Sequence, residues 1–482
     1  MSEIESFSMV SKTIRTLGSQ VLQQCRLLTA QYSVVDNESK ACGSMFASLV
    51  KDVLLNPIIA FYVKTLRIYP WHEYWQFDPQ QPLSRDLDHF NPLRLETLFH
   101  VQYSESDMLL FEEAIQMVKF KPPYDPRDLI DLLHDGKEDP LIVLLLMSLP
   151  NITSLKLEKV PEDSYTFSIL EDFATTRSTI VPSQIEYYGI VGRMLGKVRE
   201  VILSCDPEDD SENMIFIKPF ALLPSIKKLS CWNMREGSSQ SPFRDCHLPL
   251  QASNISELTF ESCETISTQL FEFLEGVKTL RRFTYLNPKH YFDPFWIRAA
   301  LVAHARHSLE RLVIHGADRE QNPGPMGSLR LFERLRTIET DIHFLVVAKP
   351  DADHSIADTL PRSLENLILS GDALKTISGV RRYVLALMEA KQIGRLPCLK
   401  KVQYNLQWDF MKEGLAFKDF TDLYERCEKN DVNFTIFLHF DTLSLPIQYK
   451  DACIPASLLR RQKQLTLTES PSKAFSVSFS SS

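Results

Sequence analysis

No long apolar run occurs in these 482 residues. The longest strongly apolar stretch, Leu141 to Leu149, is far short of the roughly 20 residues that a membrane-spanning helix needs. The opening MSEIESF is acidic and lacks the positive start and apolar centre of a secretory signal. The sequence therefore reads as a soluble intracellular protein, cytoplasmic or nuclear, with no membrane contact. Positive charge is also in deficit: 53 Lys and Arg face 62 Asp and Glu, a net charge of -9. A general nucleic-acid binder needs a basic surface to displace counterions from phosphate, so that class is disfavoured and only a local basic patch stays open. The nine cysteines are odd in number and none form a C-x-x-C pair. This suits reduced, buried thiols rather than a disulfide framework or a zinc site. Without secretion, the sequons at Asn151, Asn254 and Asn433 carry no meaning.

Catalytic signatures are missing as well. There is no G-x-G-x-x-G, no G-x-x-x-x-G-K-[ST] and no G-x-S-x-G, the patterns behind dinucleotide, phosphate and acyl-transfer sites. His72-Glu73 begins a zincin-like pattern, but Gln76 stands where the second His belongs. His304 and His307, three apart on an expected helix, lack a third ligand. Cys246-His247 are chain neighbours, whereas a nucleophile and its base usually meet through the fold. No catalytic, cofactor-binding or metal residue is assigned, and an α/β hydrolase or metal enzyme assembled from distant positions is the weakest alternative.

A repeat is what the sequence does contain. The pattern apolar-x-x-apolar-x-apolar recurs at Val198/Val201/Leu203, Ile226/Leu229/Cys231, Ile255/Leu258/Phe260, Leu280/Phe283/Tyr285, Leu309/Leu312/Ile314, Leu335/Ile338/Thr340, Leu364/Leu367/Leu369 and Leu399/Val402/Tyr404. Successive starts are 28, 29, 25, 29, 26, 29 and 35 residues apart. Earlier copies stand at Val63/Leu66/Ile68 and Ile152/Leu155/Leu157, and a strand from Asn433 to His439 is expected to close the array. Side chains alternate faces along a strand, so the fourth and sixth positions point into one core. The spacing leaves room for a return helix, and such helices are expected over Ser267 to Glu275, Pro294 to Arg306 and Gly379 to Lys391. A unit of this size cannot bury its apolar face alone, so neighbours must stack.

The chain resembles a degenerate leucine-rich-repeat protein over roughly residues 60 to 445. Ile255 to Ile266 reads I-x-x-L-x-F-x-x-C-x-x-I, similar to the cysteine-containing subtype, with Cys263 at the position usually held by Asn or Cys. Asp206, Met234, Ala317 and Asp372 depart from it there, so the side-chain ladder that stitches the turns is expected to be mostly missing. The resemblance implies an α/β fold, a leucine-rich-repeat solenoid in the form of an irregular horseshoe of strand–helix repeats, with a small N-terminal helical cap.

Residues 7 to 24 carry Met9, Val10, Ile14, Leu17, Val21 and Leu22 on one helical face, broken near Gly18. Val10-Ser11-Lys12 through Arg15-Thr16-Leu17 resembles the second half of a fungal F-box. Leu54-Leu55-Asn56-Pro57 to Leu66-Arg67-Ile68, followed by Trp71, is similar to the linker and first strand of fungal F-box/leucine-rich-repeat proteins. The family's opening Leu-Pro-x-Glu segment has no counterpart, so the F-box is read as truncated at the N-terminus. The resemblance implies a substrate-recognition subunit of a cullin–RING (SCF-type) ubiquitin ligase, with Val10, Ile14 and Leu17 at the adaptor contact and catalysis left to other subunits. The alternative keeps the leucine-rich-repeat binding module, drops the ligase and makes the helix a solubilising cap.

Three segments follow: 1–60, helical and F-box-like with a linker; 61–445, the solenoid, with an insert at 69–150; and 446–482, an extension disordered from about 466. Within the insert, Trp71, His72, Tyr74 and Trp75 are either binding anchors or wedges, residues 80–92 form a loop, and helices are expected at Leu129 to His134 and Pro140 to Leu149. The acidic run Asp206 to Glu212 is read as a solvated loop or a dock for a basic partner, and Ser470-Pro471 as a candidate phosphorylation site.

Positions three, five and seven of each strand should line an outward, concave surface. Reading across gives Lys228, Ser230, Trp232; Glu257, Thr259, Glu261; Arg282, Thr284, Leu286; Arg311, Val313, His315; and Thr337, Glu339, Asp341. Trp232, Glu261, Arg282, Arg311, His315 and Asp341 are the candidate protein-binding residues. Mixed charge with a Trp and Arg anchors suits a protein or peptide partner.

Overall fold

A computed structural model describes residues 12–36, 44–68, 104–118, 125–158, 164–170, 195–205, 217–234, 247–263, 267–287, 292–316, 324–345, 356–370, 377–407, 421–440 and 443–447. Val10, the Trp71–Trp75 aromatics, residues 80–92, the Asp206–Glu212 run, Cys246 and the tail with Ser470 lie outside them.

The repeated pattern becomes strands wherever it occurs. Ile226, Leu229 and Cys231, then Ile255, Leu258 and Phe260, then Leu309, Leu312 and Ile314 are each no more than 1% exposed. The residues between them alternate onto a half-open face. The strands are β1 (Val34–Asp36), β2 (Thr65–Ile68), β3 (Ser154–Glu158), β4 (Glu200–Ser204), β5 (Lys228–Trp232) and β6 (Glu257–Glu261). They continue with β7 (Arg282–Asn287), β8 (Arg311–Gly316), β9 (Thr337–Asp341), β10 (Asn366–Ser370), β11 (Lys401–Gln407), β12 (Asn433–Phe440) and β13 (Leu443–Ile447). They form one α/β sheet of 13 strands in which spatial order equals chain order. From β1 to β12 every neighbouring pair is parallel. Parallel neighbours in chain order require the chain to cross back between them each time, so the sheet grows along one axis and stays open.

Backbone bonding repeats with the strands. The carbonyl just before each strand accepts two amides from the next one: Arg199 O from Lys227 N and Lys228 N, Lys227 O from Ser256 N and Glu257 N, Arg281 O from Glu310 N and Arg311 N. A polar side-chain ladder runs beside it. Asn151 donates to Phe61 O at 3.0 Å, Ser225 to Gly196 O at 2.5 Å, Asn254 to Pro224 O at 2.8 Å, Ser308 to Leu280 O at 2.8 Å and Ser363 to Leu335 O at 2.9 Å. Each of these Asn or Ser residues immediately precedes the first apolar position of its repeat. A stitching ladder therefore exists at the start of the strands, whereas the sequence reading sought it only after them. At the far end, Cys263 and Met234 both turn inward and are buried, behind Ser262 and Asn233 at φ 54° and 55°. The Cys263 thiol lies 3.4 Å from the Cys231 carbonyl.

Helices cover the apolar face. Residues α1 (Lys12–Tyr32), α2 (Ser44–Leu55), α3 (Glu105–Met117), α4 (Pro126–His134) and α5 (Asp139–Ser148) stand at the N-terminal end. Here α2 packs on α3 and α5, and α3 and α4 pack on each other and on α5. Leu141 to Leu146 of α5 are buried on every side, which explains the long apolar run. Farther along lie α6 (Ile217–Ala221), α7 (Ser267–Glu275), α8 (Pro294–Ala305), α9 (Ile377–Gln392) and α10 (Thr421–Lys429). Helix α8 shows why these segments fold locally: Asp293 accepts from Phe295 N at 2.9 Å, Pro294 begins the helix, and Ile297, Ala300 and Leu301 face the core. None of the helices among the described residues is long and apolar enough to cross a membrane.

Three expectations change. Helix α1 runs through Gly18 without a break, because one glycine costs only about 1 kcal/mol relative to alanine and the flanking residues are mostly good helix formers. Within the segment expected to be helical, Val34–Asp36 is a strand that extends the sheet through β2. Finally, β12 does not close the array, since β13 pairs with it antiparallel, Phe437 opposite Pro446. Two residues separate β12 from β13, too few for a parallel crossover.

Candidate functional site

The open face presents three rows, fixed by register. The first runs Glu200, Lys228, Glu257, Arg282, Arg311 and Thr337 across β4 to β9. The second holds Ile202, Ser230, Thr259, Thr284, Val313 and Glu339. The third holds Ser204, Trp232, Glu261, Leu286 and His315.

Charges pair sideways within and between these rows. Lys228 Nζ is 2.6 Å from Glu200, Arg282 is 3.0 Å from Glu257, and Arg311 is 3.0 Å from Glu339. Lys228–Glu200 and Arg282–Glu257 stand directly opposite on neighbouring strands and Arg311–Glu339 is diagonal, both geometries in which opposite charges can support a sheet. Most of these side chains remain partly in solvent, so each pair contributes little stability, roughly 0–1 kcal/mol. Their larger effect is to hold long side chains in a defined pattern.

The most enclosed cluster lies on β8 and β9. His315 Nδ1 is 3.2 Å from Asp341 Oδ1, and His315 Nε2 is 3.7 Å from Glu339 Oε1. The other Asp341 oxygen accepts from Gly316 N at 3.0 Å. Burial pulls the His315 pKa down, but hydrogen bonding and the charges of Asp341 and Glu339 outweigh it and hold the imidazole up at about 9. Glu339 is held below its usual range, first by its hydrogen bond with His315 and then by the charges of His315 and Arg311. The cluster is thus an ion-paired imidazolium. A cation held between two carboxylates is a poor general base near neutral pH, and its pairing ties β8 to β9.

On the other side of the face, Lys156 of β3 places its Nζ 4.7 Å from the centre of the Trp232 ring. Within the third row, Trp232, Glu261 and Leu286 are direct neighbours on β5, β6 and β7, all half-buried.

Of the six residues singled out from sequence, Arg311, His315 and Asp341 meet around Glu339. Trp232 and Glu261 are adjacent, and Arg282 belongs to a separate pair with Glu257. Glu339, Glu200 and Lys156 were not singled out. Their only signal was position in the outward phase of a strand, and Glu339 carried it. Ile14 and Leu17 lie in α1, but their surroundings are outside the described side chains.

Neither family models nor curated proteins match this chain. Among the described residues no group of three His, Cys, Asp or Glu could hold a metal ion. His304 packs edge-on against Phe271 at 4.6 Å, and desolvation pulls its pKa down. His307 lies 2.7 Å from Glu333, so the two histidines serve different partners. His247 sits 3.8 Å from Glu275. Burial pushes the Cys263 and Cys427 thiols up to about 12 and Cys231 well above its ordinary value, so these are packing groups rather than nucleophiles.

Proposed function

We propose that this chain is a leucine-rich-repeat scaffold that binds another protein on the open face of its sheet and performs no catalysis itself. The observation that carries this reading is the unbroken parallel register from β2 to β12. It lines up equivalent outward positions into a continuous polar surface, pre-ordered by cross-strand ion pairs. A rigid, mixed-charge surface with a Trp suits a protein partner, because little side-chain entropy is left to lose on binding. Phosphate backbones are a poor fit, since the cations of these rows are already matched by carboxylates.

The finer reading makes the chain a substrate receptor of a cullin–RING ubiquitin ligase, cytoplasmic or nuclear. It rests on the F-box-like N-terminus. One observation favours it over a simple capping helix: Val21 and Leu27 of α1 are 46% and 63% exposed. A helix that only closed the array would turn such residues inward.

The test uses the purified full chain as bait in a fungal lysate, beside an Arg282→Glu/Arg311→Glu variant and a Val21→Asp/Leu27→Asp variant. Partners held by the open face disappear from the first variant and remain with the second. The ligase adaptor and cullin, if the finer reading is right, do the opposite. Binding unchanged by the first variant would overturn the scaffold reading. Absence of adaptor from the wild-type sample would overturn the ligase reading alone.

A further inference from the structure

Among the described residues of β4 to β9, pairing on the open face leaves one carboxylate without an ion-pair partner. From β4 to β9 the described acids of the three rows are Glu200, Glu257, Glu261 and Glu339, joined at the edge by Asp341. Glu200 has Lys228, Glu257 has Arg282, Glu339 has Arg311 and His315, and Asp341 has His315. Among the described residues Glu261 has no ion-pair partner within 4 Å; Lys156 is engaged instead with the ring of the neighbouring Trp232. Its row neighbours are Trp232 on one side and Leu286 on the other. The three side chains stand on adjacent strands, about 4.8 Å apart. They set one carboxylate between two large apolar side chains on the open face.

Such an arrangement matches one kind of side chain. Lysine and arginine carry an aliphatic stem that lies well along apolar surface and a cationic head that needs a carboxylate. The ring of Trp232 already accepts a cation in this structure, from Lys156 at 4.7 Å. An acidic side chain would be repelled by Glu261. An apolar one would bury the carboxylate unpaired, which is costly.

We infer that the partner protein presents a lysine or arginine that seats between Trp232 and Leu286 and pairs with Glu261. This rests on the reading of the open face as a protein-binding surface. The inference also fixes where recognition occurs: on the third row, at the C-terminal ends of β5, β6 and β7.

The test selects a displayed random peptide library on the immobilised full chain, then measures the affinity of the selected peptides for wild type, Glu261→Gln, Glu261→Lys and Arg311→Glu. Glu261→Gln keeps size and a half-exposed position, so the fold is unaffected. The expected result is a Lys or Arg at one fixed position, with binding to Glu261→Gln weakened roughly 10- to 100-fold, the usual effect of losing a charge-assisted bond, and abolished by Glu261→Lys. Peptides that depend on Arg311 yet are acidic or neutral, or bind Glu261→Gln as well as wild type, would overturn the inference and leave the scaffold reading standing. Peptides insensitive to every open-face substitution, or no selected peptides, would overturn both.

Discussion

His315 sits where two opposing effects can be ranked. Burial favours the neutral ring, yet two carboxylates from the next strand hold the proton on it up to about pH 9, against an ordinary 6.5. The folded state therefore binds this proton more tightly than the unfolded chain does. Linkage gives the sign: the stabilisation is complete below about pH 6.5 and is lost as pH rises through about 9. A shift of that size corresponds to at most about 3 kcal/mol, reduced because a quarter of the side chain meets solvent. Melting temperature should fall between pH 6.5 and 9 in the wild type and be flatter across that window in His315→Gln. The imidazole protons of His315, followed by NMR, should titrate near pH 9. A midpoint near 6.5 would mean that Asp341 and Glu339 do not hold the ring in solution. The repeat already set His315 and Asp341 at equivalent outward positions of neighbouring strands, but the chain alone did not show that Asp341 and Glu339 close on the ring. Asp341 lies 26 residues after His315, and only the register of β8 on β9 joins them.

At the scale of the element, the strands were legible because burial imposes a period, and the exceptions have physical reasons. Strand β1 was missed because Val34–Asp36 is too short to show a 1-4-6 pattern, and β13 because its Pro446 argues against a strand interior. Proline is tolerated there because β13 is the edge strand among the described residues, where a missing N–H discourages further pairing. The starting ladder of Asn151, Ser225, Asn254, Ser308 and Ser363 was legible in principle as a polar residue before each repeat, but small polar residues before strands are common in any loop. The repeat in β9 is the imperfect one. Its sixth position is Thr340, fully buried, with a hydroxyl that has no hydrogen-bond partner. Every other copy from β2 to β11 places an apolar, aromatic or thiol group there. Thr340→Val keeps the shape and removes the unsatisfied oxygen, so it should raise stability by about 1 kcal/mol, read as a higher denaturant midpoint at unchanged slope. Destabilisation instead would show that the hydroxyl is hydrogen-bonded in solution.

The whole molecule behaves as a line rather than a ball. One core runs from Val35 to Ile436, and among the described strands each pairs with its neighbours in chain order, so stability should approximate a sum of local and nearest-neighbour contributions. The two ends are built differently. At the C-terminal end β12 is covered by β13, paired over five residues and carrying Pro446. At the N-terminal end β1 has three residues, pairs on one side only among the described residues and leaves Val34 49% exposed. Opening should therefore begin at β1 and spread inward through β2 and β3. The open-face rows on β5 to β9 lie several strands from that end, so they should stay ordered while the terminus frays. Native-state hydrogen exchange at increasing denaturant should show the amides of β1 exchanging at the lowest free energy, those of β2 and β3 next, and those of β5 to β9 at the highest. If every strand instead exchanged at one common free energy, the sheet would be a single cooperative unit. The ion-paired rows would then owe their order to the whole core rather than to their immediate neighbours.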